Sequence, residues 1–218
     1  KEILPKFGIE VSFVDGTNTE DWERALSLPA KAIFLETPSN PNLEIIEISA
    51  ISKLAEANNT KVFVDNVFST PVLQKPLELG ADVVIYSATK HIDGQGRCLG
   101  GAILSSEEFI KDIVTPFIRH TGPSLSPFNA WILLKGLETL DLRIKEHSNN
   151  ALEVANYLQT KNIVSRTIYP SLTTHPQNKI ANKQMKAGGG VVSFELKGSK
   201  DKVFKFLNKL QIIKISNN

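Results

Sequence analysis

The stretch KVFVDNVFSTPVLQKPLELGADVVIYSATK, residues 61–90, holds two short apolar runs that each close on a polar group. VFV runs into Asp65 and Asn66, and VVIY runs into Ser87, Ala88, Thr89 and Lys90. Side chains branched at Cβ are stiff at χ1 and pack well on a pleated surface, so KVFVDN (61–66) and DVVIYSA (82–88) read as strands. Their near-continuous apolar character points to burial on both faces. Outward from this stretch the texture repeats. EVSFVD (10–15), KAIFLET (31–37) and GGAILS (100–105) read as further strands, while TEDWERALSL (19–28) and IIEISAISKLAEANN (45–59) show helical spacing. In the second of these, Ile45, Ile48, Ile51, Ser52 and Ala55 share one face. Strands alternating with helices predict crossover units and a mainly parallel sheet with helices on its faces, an α/β fold.

A different texture begins near Pro127. From there to Leu158 apolar residues recur at three and four without an internal proline, which predicts one long or kinked helix. IVSRTIYP (163–170), a polar loop with Pro176, GGGVVSFEL (188–196) and a strand-like LQIIKISNN (210–218) follow. This part reads as the start of a second, smaller α+β domain. Charge divides at the same place: residues 1–143 carry 13 Lys and Arg against 19 Asp and Glu, residues 144–218 carry 12 against 4. We therefore expect one domain over 1–143 and the start of another over 144–218.

The 218 residues, 41% hydrophobic and 22% charged with a net charge of +2, have the balance of a soluble globular protein. No segment approaches the about 18 uninterrupted apolar residues of a membrane helix. A basic tail suits nucleic acid, but these lysines are scattered without interleaved aromatics, so no nucleic-acid partner is expected. The single cysteine, Cys98, cannot form an internal disulfide, which fits a reducing, cytoplasmic setting. Residues 1–15 lack the pattern of a targeting signal and do not begin with Met, so the start reads as internal to a longer chain.

In an open parallel sheet ligands bind beyond the carboxyl ends of the strands. Three strands end there in polar clusters: TPSNP (37–41), with Asn40 between two prolines; Asp65; and SATK (87–90). Taken singly, Asp65 has a structural reading as a helix cap, Ser87 and Thr89 as turn caps, and Lys90 as a solvated cation. Together they supply an amine, a carboxylate and two hydroxyls, the set a pyridinium aldehyde phosphate requires. Gly94-Gln-Gly96-Arg-Cys-Leu-Gly100 lacks the third glycine of a dinucleotide loop and reads as a turn into GGAIL. His91 reads as structural or exposed, and His120, His147 and His175 show no metal-ligand spacing. No GxSxG motif occurs. Cys98 reads as packed or idle, and Trp22 and Trp131 as packing residues.

ETPSNP (36–41), KVFVDN (61–66), LELGADVVIYSATKHIDGQGR (77–97) and LGGAIL (99–104) closely resemble the pyridoxal-phosphate enzymes of Cys/Met metabolism, the cystathionine γ-synthase-like family of fold type I. The spelling HIDGQGRCLGG (91–101), followed by TGPSLSPFNAWILLKGLETLDLR (121–143), looks most like that family's O-succinylhomoserine sulfhydrylase branch. The resemblance implies the large-domain fold of type I transferases with pyridoxal 5'-phosphate as cofactor. It implies Lys90 as covalent anchor and proton shuttle, Asp65 as partner of the ring nitrogen, Ser87 and Thr89 as phosphate-binding hydroxyls, and Asn40 beside the ring oxygen and substrate carboxylate. It further implies γ-replacement on O-succinylhomoserine with sulfide to give homocysteine. A cystathionine synthase, O-acetylhomoserine sulfhydrylase or γ-lyase is the alternative within the family, and a non-catalytic fragment the alternative outside it. Family members are homotetramers. Their glycine-rich phosphate loop and ring-stacking tyrosine would precede Lys1, and their carboxylate-clamping arginine would follow Asn218.

Overall fold

Four extended runs pair through their backbones into one sheet: β1 (Ala32–Glu36), β2 (Lys61–Asp65), β3 (Val83–Ser87) and β4 (Gly101–Ser105), in that spatial order. The first three are parallel and β4 runs antiparallel to β3, so the mainly parallel α/β architecture is observed. The computed structural model describes residues 2–216.

Helix α1 (Thr19–Leu26) starts where Asn18 accepts the Glu20 N–H at 3.0 Å, satisfying one of the donors that a helix start leaves unpaired. It buries Trp22 and Leu26, and the Trp22 indole donates to the Gly16 carbonyl at 3.0 Å. Helix α2 (Ile48–Ala57) crosses from β1 to β2 and buries Ile48, Ile51, Ser52 and Ala55, the face expected from the spacing. Ile45 is buried as well, in a separate cluster with Ala181 and Met185. The main core joins these side chains to Ile33 and Leu35 of β1, Val62 and Val64 of β2, Ile46 and Ala81. Helix α3 (Thr70–Leu73) and a tight turn at Pro76–Leu79 carry the chain from β2 to β3.

Beyond β4 come the short helices α4 (Glu107–Phe109) and α5 (Thr115–Thr121), then α6 (Pro127–Leu137) and α7 (Leu140–Gln159). The long helical pattern is thus a kinked pair, broken at Glu138 and Thr139. Leu133 of α6 packs under Val84, Tyr86, Ala88 and Ile92, a second core directly beneath the lysine turn. Strands β5 (Val164–Ile168) and β6 (Ser193–Leu196) form a separate antiparallel pair. Helix α8 (Asn178–Gln184) lies between them in sequence and α9 (Lys200–Leu207) follows. Among the described residues no helix is long and apolar enough to cross a membrane.

Three local expectations fail. EVSFVD forms no strand: residues 10–15 are irregular, and Phe13 is 70% exposed. LQIIKISNN likewise forms no strand over 210–216, its last two residues lying outside the described region. β propensity cannot act without a neighbour to accept the ladder's hydrogen bonds, and neither run has one. Trp131 is 54% exposed on α6 rather than packed. Burial on both faces holds for Val83, Val84 and Tyr86 in β3, but Phe34 on edge strand β1 is 65% exposed.

The second sheet's elements are tied to residues 41–47. Gln184 caps α2 by accepting the Ile48 N–H at 3.2 Å and donates to the Ile46 carbonyl at 2.9 Å. Lys183 pairs with Glu47, and the His175 ring Nε2 meets the Leu43 carbonyl at 3.1 Å. His91 is half-buried, its ring 6.0 Å from that of His147. Burial, then the charges of His147 and Arg143, push His91 down to about 4.

Ile48→Ala should lower the unfolding free energy in urea by about 2–5 kcal/mol, because the fully buried site cannot collapse around the lost methylenes. Phe34→Ser should stay within about 0.5 kcal/mol. For His91, the folded value lies below the ordinary 6.5. Its contribution to stability is therefore complete above pH 6.5 and lost as pH falls toward about 4. Urea midpoints measured across that window should fall with pH in the parent and fall less in His91→Gln.

Candidate functional site

Parallel pairing brings the carboxyl ends of β1, β2 and β3 to one edge, with Glu36 level with Asp65 and Asp65 level with Ile85. Every candidate residue ends or follows one of these strands. After β1 the chain turns through TPSNP, where the Thr37–Pro38 and Asn40–Pro41 peptides are cis. The turn is closed by Leu43 N–H to the Ser39 carbonyl at 2.8 Å and by Ile46 N–H to Thr37 Oγ1 at 2.9 Å. Asn40 is exposed at its tip, and its backbone N–H lies near enough to the Glu36 carboxyl to lower it. The asparagine is therefore folded back toward Glu36, whose lateral neighbour is Asp65.

Asp65 accepts the Val67 N–H at 3.0 Å, an Asx-type turn bond that fulfils the structural reading of this residue without exhausting its acceptors. Burial pushes its carboxyl above the usual range, and the Val67 bond offsets only part of that. Glu36 is raised too, first by burial and then by the negative charge of Asp65, with the Asn40 N–H acting in the opposite direction. Two half-buried carboxylates side by side make this edge favour a positive charge or a proton.

Beyond β3 the chain makes a single wide turn over Ala88–Ile92, within which Lys90 has φ −86° and ψ −114°, outside helical values. Ser87 occupies the capping position of this turn, yet its hydroxyl makes no capping bond. Thr89 Oγ1 accepts the Gly100 N–H at 3.0 Å and lies 3.3 Å from the Gly100 carbonyl. That second contact is long for an O–H···O bond, so the Thr89 proton is weakly held and can be given to an anion. The turn continues through Gly94, at φ +73°, whose N–H donates to the Lys90 carbonyl at 2.7 Å. Buried Asp93 accepts Arg97 through its backbone N–H at 2.6 Å and its Nε at 2.8 Å. The glycines thus serve a tight turn into β4.

An amine, two hydroxyls and a carboxylate short of positive charge, set beyond neighbouring strand ends, match the chemistry of pyridoxal phosphate. The carboxylate suits a protonated ring nitrogen, the amine an aldehyde and the hydroxyls a phosphate. A 560 Å³ cleft lined by Thr60, Lys61 and Asp82 lies at the opposite, amino-terminal edge of the sheet. Cys98 is half-buried against the second core and no nearer to a role.

Sequence reasoning missed Glu36 and Asn66. Glu36 ends a strand just as Asp65 does, a signal that was legible. Asn66 is fully buried, its Nδ2 2.9–3.1 Å from the Thr70 and Gln74 carbonyls and the Tyr86 hydroxyl, partners that only the fold brings together.

Comparison with known proteins gives the family. The family model described as Cys/Met metabolism PLP-dependent enzyme matches residues 1–218. The O-succinylhomoserine sulfhydrylase of Mycobacterium tuberculosis is 50% identical over all of this chain and 54% of its own length. The L-methionine gamma-lyase of Fusobacterium nucleatum is 41% identical over 98% of the chain and 54% of its own length. The crystal structure of cystathionine gamma synthase from Xanthomonas oryzae superposes with a TM-score of 0.95 at 34% identity, over 98% of this chain and 55% of that one. The chain spans about half the length of the curated relatives it matches. With the fold, the strand-end chemistry and the full-length family match in agreement, the chain belongs to the pyridoxal-phosphate-dependent enzymes of Cys/Met metabolism.

Proposed function

We propose that the whole protein to which this chain belongs replaces the γ-succinyl group of O-succinylhomoserine with sulfide, giving homocysteine for methionine biosynthesis. The observation that carries the reaction class is that Asp65, its carboxyl raised by burial, and the amine-bearing turn at Lys90 stand at the carboxyl ends of two adjacent parallel strands. Identity of 50% with the Mycobacterium tuberculosis protein supports the choice of substrate. A γ-lyase reading is favoured separately by the 41% identical Fusobacterium nucleatum protein.

Pyridoxal phosphate supplies an electron-poor ring that accepts the electron pair of a broken Cα–H bond. Lys90 Nζ would hold the cofactor through its aldehyde and, when free of it, would receive the proton from the substrate Cα. Asp65 keeps a proton on the ring nitrogen. Its half-buried carboxylate, raised by burial and only partly offset by the Val67 N–H, would be stabilised by that positive charge. Ser87 and Thr89 donate their hydroxyl protons to the phosphate, Thr89 while still accepting the Gly100 N–H. The Asn40 side chain, at the tip of a turn held by Thr37 and Ser39, orients the substrate carboxylate.

We also propose a division of the chain at residue 143, within the first turn of α7, since β1–β4 precede it and β5–β6 follow. A homotetrameric, cytoplasmic enzyme completes the reading.

Purified full-length protein with cofactor should show a yellow absorbance band that borohydride abolishes, and Lys90→Ala should lack it. A parent protein that stays colourless with added cofactor overturns the enzyme reading in favour of a non-catalytic chain. Asp65→Asn should bind cofactor yet turn over about 10²-fold more slowly, as expected when one preorganised electrostatic partner is removed. For the substrate, parallel assays of succinyl- and acetylhomoserine, each with sulfide and with cysteine, should give the highest kcat/KM for the succinyl ester with sulfide. Faster release of a keto acid without added thiol would favour the γ-lyase reading.

A further inference from the structure

We propose that Arg143 is a positioning residue for Lys90: by binding the carbonyls of the two residues that follow the lysine, its guanidinium sets the direction in which the amine leaves the turn. The inference rests on the role proposed above for Lys90. Arg143 comes from the first turn of α7, 53 residues further along the chain. Its Nη1 donates to the His91 carbonyl at 2.8 Å, and its Nη2 donates to the Ile92 carbonyl at 3.3 Å and the Gly136 carbonyl at 2.8 Å. Its Nε donates to Thr139 Oγ1 at 3.0 Å. One planar cation therefore fastens three things together: the lysine turn, the end of α6 and the joint between α6 and α7.

The need for such a clamp follows from the backbone. Lys90 departs from helical dihedrals, so the turn cannot close all of its own carbonyls. The Lys90 carbonyl is taken by Gly94 N–H, which leaves those of His91 and Ile92 to an outside donor. Only a rigid fork with several N–H groups in one plane reaches both while also holding α6; a lysine ammonium at this place is a single point.

The surroundings are cut to fit that fork. A Cβ on Gly136 would lie 2.1 Å from the Ile92 carbonyl oxygen, so α6 rests its backbone directly on the lysine turn. A Cβ on Gly94 would lie 2.2 Å from Arg143 Nη1, against the guanidinium. Gly96 offers a contrast within the same turn. It too has a positive φ, +66°, but a Cβ there meets nothing within 4 Å. Adding a methyl at Gly94 and at Gly96 thus imposes a similar backbone cost, and only the first displaces Arg143.

The test uses the full-length holoenzyme and reads the yellow lysine-bound cofactor band, its pH midpoint, the rate of cofactor release into apo-acceptor, and kcat and KM separately. Arg143→Ala should release cofactor about tenfold faster and lower kcat about 30-fold with KM changed less than about twofold, the size expected for a reacting group displaced by about 1 Å. Arg143→Lys should recover only part of this, whereas millimolar guanidinium added to Arg143→Ala should restore part of kcat. Gly94→Ala should move the pH midpoint of the band in the same direction as Arg143→Ala. Gly96→Ala should keep the parent midpoint even if its thermal stability falls. The exposed Lys145→Ala on the same helix should match the parent.

Should Arg143→Ala fail to fold, Arg143→Lys and the Gly94/Gly96 pair carry the decision. A parent-like band midpoint and release rate in Arg143→Lys and in Gly94→Ala overturn the inference. Equal spectral shifts in Gly94→Ala and Gly96→Ala overturn it as well, since they would reflect turn strain alone. If Lys90→Ala keeps a borohydride-sensitive band, the site reading itself falls. Loss of that band in Lys90→Ala, with parent-like behaviour of the Arg143 variants, overturns only the role of Arg143.

Discussion

Three strand ends in this protein are held at one level by a set of fully buried side-chain amides. Asn66 at the end of β2 bonds across to Tyr86 at the end of β3 and accepts the Gln74 amide at 2.8 Å. Gln74 donates as well to the Thr37 carbonyl, just beyond β1, at 2.9 Å and receives Gln184 of α8 at 3.0 Å. Buried polar groups cost about 1–3 kcal/mol each when unpaired, so this network is stable in one arrangement and poor in any other. The residues beside it are the ones with chemistry. Glu36 precedes Thr37, Asp65 precedes Asn66, and Ser87 follows Tyr86. The amides fix the backbone at each strand end and thereby where the neighbouring functional groups begin.

Beyond that level the lysine turn is closed by a second kind of device. Thr89 is joined to Gly100 at the start of β4, Asp93 to Arg97, and the His91 and Ile92 carbonyls to Arg143. Each bond comes from a different part of the chain. The turn is thus held from its strand, from the following loop and from α7, and the second core, with Leu133 beneath Ala88 and Ile92, seals it from below. Lys90, proposed above as covalent anchor and proton carrier, is thus carried on a backbone bonded from several sides.

The electrostatics of the edge complement this rigidity. Glu36 and Asp65 stand level on adjacent strands, both half-buried and both raised by burial. A cationic cofactor ring, placed there as proposed above, would offset that desolvation.

Much of this was legible in the sequence, because it depends on short periods. Apolar runs of β-branched residues gave β1 to β4, three- and four-residue spacing gave α1 and α2, and the polar residues after each strand marked Asn40, Asp65, Ser87, Thr89 and Lys90. EVSFVD and LQIIKISNN carried the same local signal without a partner strand, and local propensity has no means of reporting that absence. What only the tertiary structure decided are the bonds between residues far apart in sequence: Gln184 to the start of α2, Asn66 to Tyr86, Arg143 to the carbonyls after Lys90. The sequence alone determined which chemical groups are present and on which strand ends they fall. Their burial, their mutual level and the backbone clamp behind the lysine were decided by packing, since hydrogen bonds and desolvation depend on distance in space and not on separation along the chain.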